Sequence, residues 1–427
     1  MDMAILFSVF VAGLVLGIPV AITLGLSSLG YILVAGLPPV VMPQKMYAGM
    51  DVFVLLSIPG FILAGNLMNR GGITSALINL SMALVGRLRG GLGHVNILTS
   101  VFFAGISGSA VADAAALSNT LVPEMRKRGY TLTYASAVTA ASSIIGPIVP
   151  PSIILIFYGA LMGTSVTALF LAGIVPGLVL AAALIVVNAV YAWRQDHPRL
   201  ERAEMPALLP TIARSLPALS LPLIILGGIV FGWMTPTEAA AVAVFVALLA
   251  GWFYEGLTRG SILEALQRTA MLSGSIFIII CAVSALGHLG ALERLPEAIS
   301  EAVAALGLGP AGYMLVMNLI FILAGMVLDI PVALALLVPL LAPVALEQGA
   351  DPVHLGIVLC FNLCIGLISP PMGGCLLVVS TVTGVNYWRL AWAVIPFVLT
   401  EIVVLAVLIL VPELSLALPQ AFGFAGG

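Results

Sequence analysis

Long apolar runs separated by short polar connections dominate the hydrophobic pattern of this 427-residue chain. A helix crosses a bilayer with about 20 apolar residues. Apolar stretches of this kind recur along the chain: residues 4–35, 52–68, 165–193, 220–233, 239–253, 271–286 and 392–411. The pattern predicts an all-α protein that crosses a membrane many times. Ten-residue segments of alternating polarity, which are typical of membrane β-barrels, do not occur.

Two parts of the chain share one pattern at a separation of 220 positions. The aligned glycines and prolines coincide without a gap: Gly105 with Gly325, Pro123 with Pro343, Gly129 with Gly349, Gly146 with Gly366, and Pro150-Pro151 with Pro370-Pro371. Each copy predicts a short helical hairpin followed by an apolar span that glycine and proline interrupt. Paired interrupted spans at matching places in two halves are typical of the binding site of a secondary transporter.

Charges orient the two copies in opposite directions. The basic loop at residues 126–128 follows the first hairpin, so the positive-inside rule places this loop in the cytoplasm. The matching loop of the second copy, residues 347–351, contains no cation. Tracing all spans from this assumption leaves only Lys45 and Arg294 on the outer face. The charges therefore predict two inverted-topology repeats, with both chain termini outside the cytoplasm, on the periplasmic side.

The two repeats predict six segments, and the term scaffold for their first helices is what the family resemblance described below implies. They are the scaffold helices of repeat 1 (1–92), hairpin 1 with its broken helix (93–164), the last span of repeat 1 with a cytoplasmic linker (165–210), the scaffold helices of repeat 2 (211–310), hairpin 2 with its broken helix (311–384), and the last span with the C-terminus (385–427).

The composition excludes a soluble protein, and the motifs present exclude nucleotide hydrolysis as the source of energy. The chain is 62% hydrophobic and 8% charged, with a mean hydropathy of +1.22. Its four cysteines lie in apolar segments without a neighbouring histidine, which predicts core residues rather than metal ligands. The chain contains no P-loop, so nucleotide hydrolysis cannot drive it, and an ion gradient must supply the energy.

The hairpin tips and the breaks are the predicted sites of chemistry. We define the first tip as residues 105–109, the second tip as 325–331, the first break as 146–152 and the second break as 366–374. A helix that turns back inside a membrane leaves unpaired backbone groups, which persist where they line a cavity and meet an ion or a substrate. Proline frees an upstream carbonyl, so the breaks supply oxygens that suit a small hard cation.

Four polar side chains accompany these elements. Asp113 and Asp329 are carboxylates within otherwise apolar hairpins, and such groups usually face a cavity or a partner. Ser142 and Asn362, at equivalent positions of the two broken spans, can donate or accept hydrogen bonds beside the tips. Glu401 is a lone carboxylate in the last span, to which the sequence assigns no role.

Several long motifs resemble, in order and nearly end to end, the large membrane subunit of tripartite ATP-independent periplasmic (TRAP) transporters. These motifs are PGFILAGNLMNRGGI (59–73), GGLGHVNILTSVFFAGISGSAVADAAAL (90–117), PEMRKRGY (123–130), AASSIIGPIVPPSI (140–153), ILGGIVFGWMTPTEAAAVAV (225–244) and DPVHLGIVLCFNLCIGLISPPMG (351–373). Residues 372–375 depart from the family, since many members carry Gly-x-Asn after the double proline.

The resemblance implies a transporter and not an enzyme. It implies sodium-driven import of an organic acid, such as a C4-dicarboxylate, a sugar acid or sialic acid, across the bacterial inner membrane. A periplasmic binding protein would deliver the substrate, and a small four-helix membrane subunit would complete the complex. The resemblance further implies an elevator mechanism, in which the hairpins and broken helices move as a transport domain against a fixed scaffold.

Residues at positions that match the family's motifs imply two sodium sites and a substrate cavity in this chain. The first implied sodium site comprises Gly105, Ser107, Ser109, Gly146, Val149 and Pro151. The second implied sodium site comprises Gly325, Asp329, Asn362, Gly366, Ser369 and Met372. The candidates for the substrate cavity are Ser109, Asp113, Asp329 and Ser142.

Two other functions stay open at the level of the sequence. Residues 105–108 match the GxSG pattern of intramembrane serine proteases, in which Ser107 would be the nucleophile. A nucleophile needs its base within hydrogen-bond reach, and His288 is the candidate. A channel is the other alternative, and it would lack saturable uptake and tight sodium coupling.

Overall fold

The computed structural model describes residues 2–70, 72–200, 205–254, 256–307 and 309–424. This described part contains twenty α-helices, a 3₁₀ turn at Phe53–Leu56 and no strand. Residues 201–204 of the linker, which include Arg202, lie outside the described residues.

The helices of the first repeat form a scaffold part and a hairpin part. The scaffold helices are α1 (Asp2–Val15), α2 (Val20–Val34), α3 (Val41–Met50), α4 (Ser57–Arg70) and α5 (Ile73–Val85). The hairpin part comprises α6 (Gly91–Ser107), α7 (Ala110–Lys127), α8 (Leu132–Ser143), α9 (Ile153–Met162) and the long span α10 (Val166–Arg194).

The second repeat follows the same order. Its scaffold helices are α11 (Leu208–Val230), α12 (Pro236–Phe253), α13 (Arg259–Leu292) and α14 (Leu295–Ala305). Its hairpin part comprises α15 (Pro310–Gly325), α16 (Ile330–Glu347), α17 (Pro352–Gly366), α18 (Gly374–Thr383) and α19 (Tyr387–Leu410), and a short helix α20 (Glu413–Ala421) ends the described chain.

Local sequence explains where each hairpin turns. Helix α6 ends where Gly108 takes a left-handed conformation (φ +57°), which glycine adopts without strain. Ser109 then caps α7, since its hydroxyl accepts from the backbone N–H of Ala112 at 3.5 Å. Asp329 caps α16 in the second copy and accepts from the N–H of Ile330 at 3.1 Å. The two caps are the equivalent residues of the repeats.

The predicted breaks are present in both broken spans. Nine residues lie between the end of α8 and the start of α9, and seven lie between the end of α17 and the start of α18. Each intervening segment contains the double proline, and the peptide bond between its two prolines is cis in both copies. Proline cannot donate to a continuing helix, so each span stops here and restarts after a turn.

The two copies exchange contacts reciprocally. The hairpin helix α7 packs on α18 of the other copy, and α16 packs in the same way on α9. The Tyr158 hydroxyl of α9 donates to the carbonyl of Pro352 at 2.9 Å, which ties the first broken span to the second. Each hairpin therefore supports the broken helix of the other repeat.

The number of crossings confirms that the repeats are inverted. By length and hydropathy, six helices of the described residues can cross a membrane, or seven with the bent pair of α3 and residues 53–69. Four of the six, α10 to α13, follow the first broken span and precede the second hairpin. With the first broken span counted as one further crossing, five crossings separate the two hairpins, and an odd number places them on opposite sides of the membrane.

The helices pack into two groups. Helices α1 to α5 contact mainly α11 to α14, and these form one group. The hairpins and broken helices form the other group together with α10, α19 and α20. The last span of each repeat therefore packs with the hairpins and not with the scaffold. Contacts between the groups come mainly from α4 and α5 against α6, and from α13 and α14 against α16.

Candidate functional site

Both hairpin tips line one cavity of about 430 Å³. The first tip contributes Ser107 and Ser109, and the second tip contributes Asp329. The breaks contribute Pro147 and Leu367. The fold therefore brings together two segments that lie 220 positions apart in the sequence, as the repeat predicts.

The scaffold forms the opposite wall of this cavity. Helix α4 contributes Asn66 and Asn69, and α13 contributes Arg268 and Ser275. The Asn66 amide donates to the Thr269 hydroxyl at 3.3 Å and so joins the two scaffold helices. Polar side chains thus lie on both sides of the cavity, and the hairpin tips face a helix pair of the other packing group.

Asp113 is the central group of the first tip. It lies in the first turn of α7, where the helix dipole favours a negative charge, and it is fully buried. The Ser107 hydroxyl donates to its Oδ1. Within the described chain no protein group hydrogen-bonds to Oδ2. One carboxylate oxygen is thus fixed, and the other is available to a cation.

The first break packs directly against that free oxygen. A methyl group on Gly146 would lie 2.4 Å from Oδ2 of Asp113, and one on Gly108 would lie 2.8 Å from the carbonyl oxygen of Pro151. A methyl group on Gly105 would lie 2.7 Å from the Cβ of Pro222. Val149 packs on Gly177 of α10. Of the residues of the first implied sodium site, Ser107 and Gly146 therefore lie against Asp113, whereas Gly105 and Val149 pack on α11 and α10.

Ser142 lies away from the cavity wall. It is fully buried, and its hydroxyl donates to Asn96 Oδ1 and accepts from the Ser100 hydroxyl, both at 2.9 Å. These partners join α8 to α6. Asp113 is likewise absent from the cavity wall, because it sits behind Ser107. Of the four predicted cavity residues, the structure brings Ser109 and Asp329 to the cavity and places Asp113 and Ser142 behind it.

The second tip and break meet through two glycines. A methyl group on Gly366 would lie 2.4 Å from the carbonyl carbon of Gly325 and 2.7 Å from its oxygen. The Gly373 N–H donates to the Met326 carbonyl at 3.4 Å, which ties the end of the break to the tip. The Ser369 hydroxyl donates a hydrogen bond to the carbonyl of Ile365 at 2.8 Å. Backbone atoms therefore dominate this site.

Three further residues of the second implied site differ in their surroundings. Asn362 is buried and donates to the backbone carbonyl and side-chain oxygen of Asn318 at 2.9 and 2.7 Å. Met372 is 50% exposed. Asp329 is exposed at the cavity. The structure thus holds Gly325, Gly366 and Ser369 together, with Asn362 bracing α17 against α15.

The donor set restricts the kind of cation that fits. Among the described residues no three His, Cys, Asp or Glu side chains form a metal-binding group. A transition metal selects such side chains, whereas hard cations accept carbonyl and hydroxyl oxygens. The two tip-and-break junctions offer mainly carbonyl, carboxylate and hydroxyl oxygens.

The chain matches a family model described as "Tripartite ATP-independent periplasmic transporter, DctM component" over residues 7–414. The chain belongs to this family. It is 41% identical over 423 residues to the protein YgiK of Salmonella typhimurium, covering 98% of this chain and 97% of that one. It is 39% identical over 380 residues, 89% of each chain, to the sialic acid TRAP transporter large permease protein SiaM of Vibrio cholerae.

A solved structure shares the fold of this TRAP permease. The crystal structure of the Alcanivorax borkumensis YdaH transporter superposes with a TM-score of 0.62, covering 89% of this chain and 87% of that one. At 14% identity this likeness concerns the fold alone. The same arrangement of helices therefore occurs without close sequence similarity.

Membership in the TRAP family settles the enzyme alternative. Members of the family are transporters and not enzymes. The surroundings of Ser107 agree, since its hydroxyl donates to Asp113 and accepts the N–H of Ser109 at 3.2 Å. In the described chain no histidine hydrogen-bonds to Ser107, so His288 is not placed as its base.

Sequence reasoning missed the scaffold half of the cavity of the TRAP permease. The tracing of charges leaves Arg268 on the cytoplasmic side without a further role, and Asn66 and Asn69 were not singled out within the motif at residues 59–73. One signal was present, because Asn66 and Asn69 are three residues apart and share a helix face. Arg268 could not be found this way, since only packing of α13 beside the tips brings it to the cavity.

Glu401 of the TRAP permease is fully buried in α19. Within the described residues neither of its carboxylate oxygens has a hydrogen-bond partner. A buried polar group without a partner is unfavourable by about 1–3 kcal/mol.

We expect Glu401→Met to raise the unfolding temperature, measured by heating the purified protein in detergent. The control Glu347→Met, at an exposed position, should change it little. A lower unfolding temperature for Glu401→Met would mean that the carboxyl is stabilising.

Proposed function

We propose that this TRAP permease is a sodium-coupled importer of an organic acid in the bacterial inner membrane. The observation that supports it is the convergence of both hairpin tips on one cavity with polar side chains on both walls, and with the buried Asp113 beside the first tip. The sialic acid named for the Vibrio cholerae relative is an organic acid, and we extend that chemical class to this chain. A channel would not need two matched cation sites beside one cavity.

Each tip-and-break junction would bind one sodium ion. At the first junction the free Oδ2 of Asp113 and the carbonyls near Gly146 and Pro151 would be the ligands. At the second junction the backbone around Gly325 and Gly366 would supply the oxygens. Sodium would stabilise the contact between each tip and its break, so that the wall of the cavity is complete only when both ions are bound.

The energy of two ions is sufficient for accumulation of substrate. A tenfold sodium gradient contributes about 1.4 kcal/mol per ion. A membrane potential of about 100 mV adds about 2.3 kcal/mol for each charge that moves. Two ions therefore contribute about 7 kcal/mol before the charge of the substrate is subtracted.

An elevator mechanism accounts for the two packing groups. The hairpins, the broken helices, α10 and α19 would move together as the transport domain. Helices α1 to α5 and α11 to α14 would stay fixed as the scaffold. The cavity lies at the boundary between these groups, so a sliding motion would carry it from one side of the membrane to the other.

The complete transporter would have three components. The family description names a tripartite periplasmic transporter, and this chain matches one component of it. A periplasmic binding protein would deliver the acid, and a small four-helix membrane subunit would pack beside the scaffold. Both termini of this chain would face the periplasm.

Sodium titration tests the two-site proposal. We expect uptake into proteoliposomes, supplied with the periplasmic binding protein, to rise more steeply than linearly with external sodium, because both ions must bind before transport. Potassium at equal ionic strength should not replace sodium. A strictly linear dependence on sodium would contradict two coupled sites, and uptake without any cation requirement would contradict the proposed coupling.

A further inference from the structure

The chain passes between the two packing groups at three connections, residues 86–90, 195–207 and 306–309. The basic residues in the first two connections place both of them on the cytoplasmic side. Any motion of one group against the other must be absorbed in these connections. A contact that joins two of them therefore bears on the freedom of both groups.

Residues 196–200 of the second connection lie alongside the whole of the first. At one end the Gly90 N–H donates to the carbonyl of Pro198 at 3.3 Å, and at the other the Leu200 N–H donates to the carbonyl of Gly86 at 3.4 Å. Gly86 directly follows the scaffold helix α5, and Gly90 directly precedes the hairpin helix α6. The segment thus braces the turn between these two helices. We call this contact between the two connections the clasp.

The clasp is held by few and weak interactions. Its two backbone hydrogen bonds are longer than the usual length of about 2.9–3.0 Å. Arg89 and Asp196 form an ion pair, but the Asp196 side chain is 88% exposed, and exposed pairs contribute little. The buried side chains of the segment, Leu200 and His197, therefore supply most of its attachment. Such a contact can open when one of these side chains changes its state.

The ring of His197 is buried against two tyrosines. Its centroid lies 4.7 Å from that of Tyr130 and 4.6 Å from that of Tyr134. Its Nε2 lies 3.1 Å from Oε1 of Gln195, which can only accept, so Nε2 carries the hydrogen of the neutral ring. Its Nδ1 is buried without a hydrogen-bond partner among the described residues. The aromatic cluster is completed by Tyr191 of α10 and Phe397 of α19.

A charged His197 would find no compensating group in the clasp. The neighbouring carboxylate, Asp196, is already paired with Arg89, and Arg128 beside Tyr130 is paired with Glu124. The planes of the two tyrosines are tilted by 48° and 54° from the imidazole, so neither ring presents its face squarely to a cation. The segment is flanked in the chain by Arg194 and Arg199. Burial therefore lowers the pKa of His197 below its ordinary value of about 6.5.

We propose that the clasp senses cytoplasmic pH, since a neutral His197 closes it and a charged His197 opens it. The clasp is most stable above about pH 6.5, where the ring is neutral whether docked or not, and it weakens as the pH falls below that value. Opening frees five residues, 196–200, which can extend to about 17 Å. It also releases the turn between α5 and α6. The effect on transport rests on the proposed elevator motion, but the opening itself does not depend on the sodium sites.

Hydrogen exchange measures the clasp directly. The purified full-length permease would be followed by mass spectrometry at pH 7.5 and pH 6.0, with rates corrected for the intrinsic effect of pH on exchange. An undocked imidazole is about three-quarters charged at pH 6.0. Protection of the amides in peptides 86–92 and 195–200 should therefore fall at least threefold at the lower pH. Unchanged protection at the two pH values would overturn the proposal.

Variants at His197 separate a sensor from a merely structural residue. His197→Gln cannot titrate, so its protection should be equal at both pH values. His197→Lys carries a permanent charge and should leave both peptides unprotected at both pH values. The matched control His288→Gln removes a histidine of the scaffold helix α13 and should keep the response of the parent. A response like that of the parent in a folded His197→Gln would overturn the role of His197.

Spin labels report whether opening releases the turn between the helices. The labels would be placed on Leu84→Cys near the end of α5 and on Lys127→Cys at the end of α7, both exposed, in a Cys281→Ser background. The distribution of distances between them should broaden from pH 7.5 to pH 6.0 in the parent and stay narrow in His197→Gln. A clasp that opens by hydrogen exchange without this broadening would overturn the release of the turn. Neither measurement requires sodium or substrate, so a failure of the proposed coupling would not affect them.

Discussion

Replacing Asp113 with asparagine should raise the sodium concentration that gives half-maximal uptake at least tenfold. The substitution keeps the size of the side chain, and its oxygen can still accept from Ser107, so the packing against Gly146 is preserved. It removes the charge that faces the first break. A hydrogen bond or contact with a charged group contributes about 1.5–3 kcal/mol, and about 1.4 kcal/mol corresponds to a factor of ten.

The measurement is the sodium concentration that gives half-maximal uptake in proteoliposomes. Asp351→Asn is the matched control, because Asp351 caps α17 outside the membrane core by accepting from the N–H of Val353 at 2.8 Å, and asparagine caps equally well. The control should keep the sodium response of the parent. A folded Asp113→Asn with that same response would remove Asp113 from the proposed cation site.

Substituting alanine for Gly366 should disrupt the second tip-and-break junction. The added methyl group would lie 2.4 Å from the carbonyl carbon of Gly325 and 2.6 Å from its Cα, and both are backbone atoms. The second tip must then move away from the break. Overpacking of this kind destabilises a protein by about 1–3 kcal/mol, and the displaced carbonyls could no longer converge on one ion.

Thermal unfolding and sodium-dependent uptake should both report this loss. Uptake by Gly366→Ala should fall at least tenfold, and its unfolding temperature should decrease. Gly227→Ala is the control, because a methyl group at this α11 position would meet no atom within 4 Å. It should behave like the parent. Parent-like stability and uptake in Gly366→Ala would show that the close approach of the two backbones is not needed.

Much of the fold follows from local sequence. Gly108 and the cap at Ser109 stop one hairpin helix and start the next, and Asp329 does the same in the second copy. The double prolines at 150–151 and 370–371 set the breaks because proline cannot continue a helix. The chain pattern therefore located both hairpins and both breaks before the packing was known. Length and hydropathy are less informative, since the hairpin arm α16 is as long and apolar as a true span.

The candidate site was predicted only in part. Residues at the tips and breaks could be predicted because glycine and proline interrupt helices and because carboxylates are rare inside a membrane. Ser142 and Asn362 were chosen for the same polarity, but their hydrogen bonds to Asn96 and Asn318 turn them toward the first hairpin helices. A polar side chain inside a membrane needs a partner, and the sequence does not say whether the partner is a ligand or a neighbouring helix.

By itself the sequence determined a polytopic helical protein, the duplicated hairpin and broken span, and the inversion of the two copies through their charges. These features depend on hydropathy, backbone chemistry and loop charge, which are local properties. Only the tertiary structure decided that α7 packs on α18 and α16 on α9, that α10 and α19 join the hairpins, and that Arg268 faces the tips. These features depend on contacts between helices far apart in the chain, and the sequence of a single helix does not show which other helix it contacts.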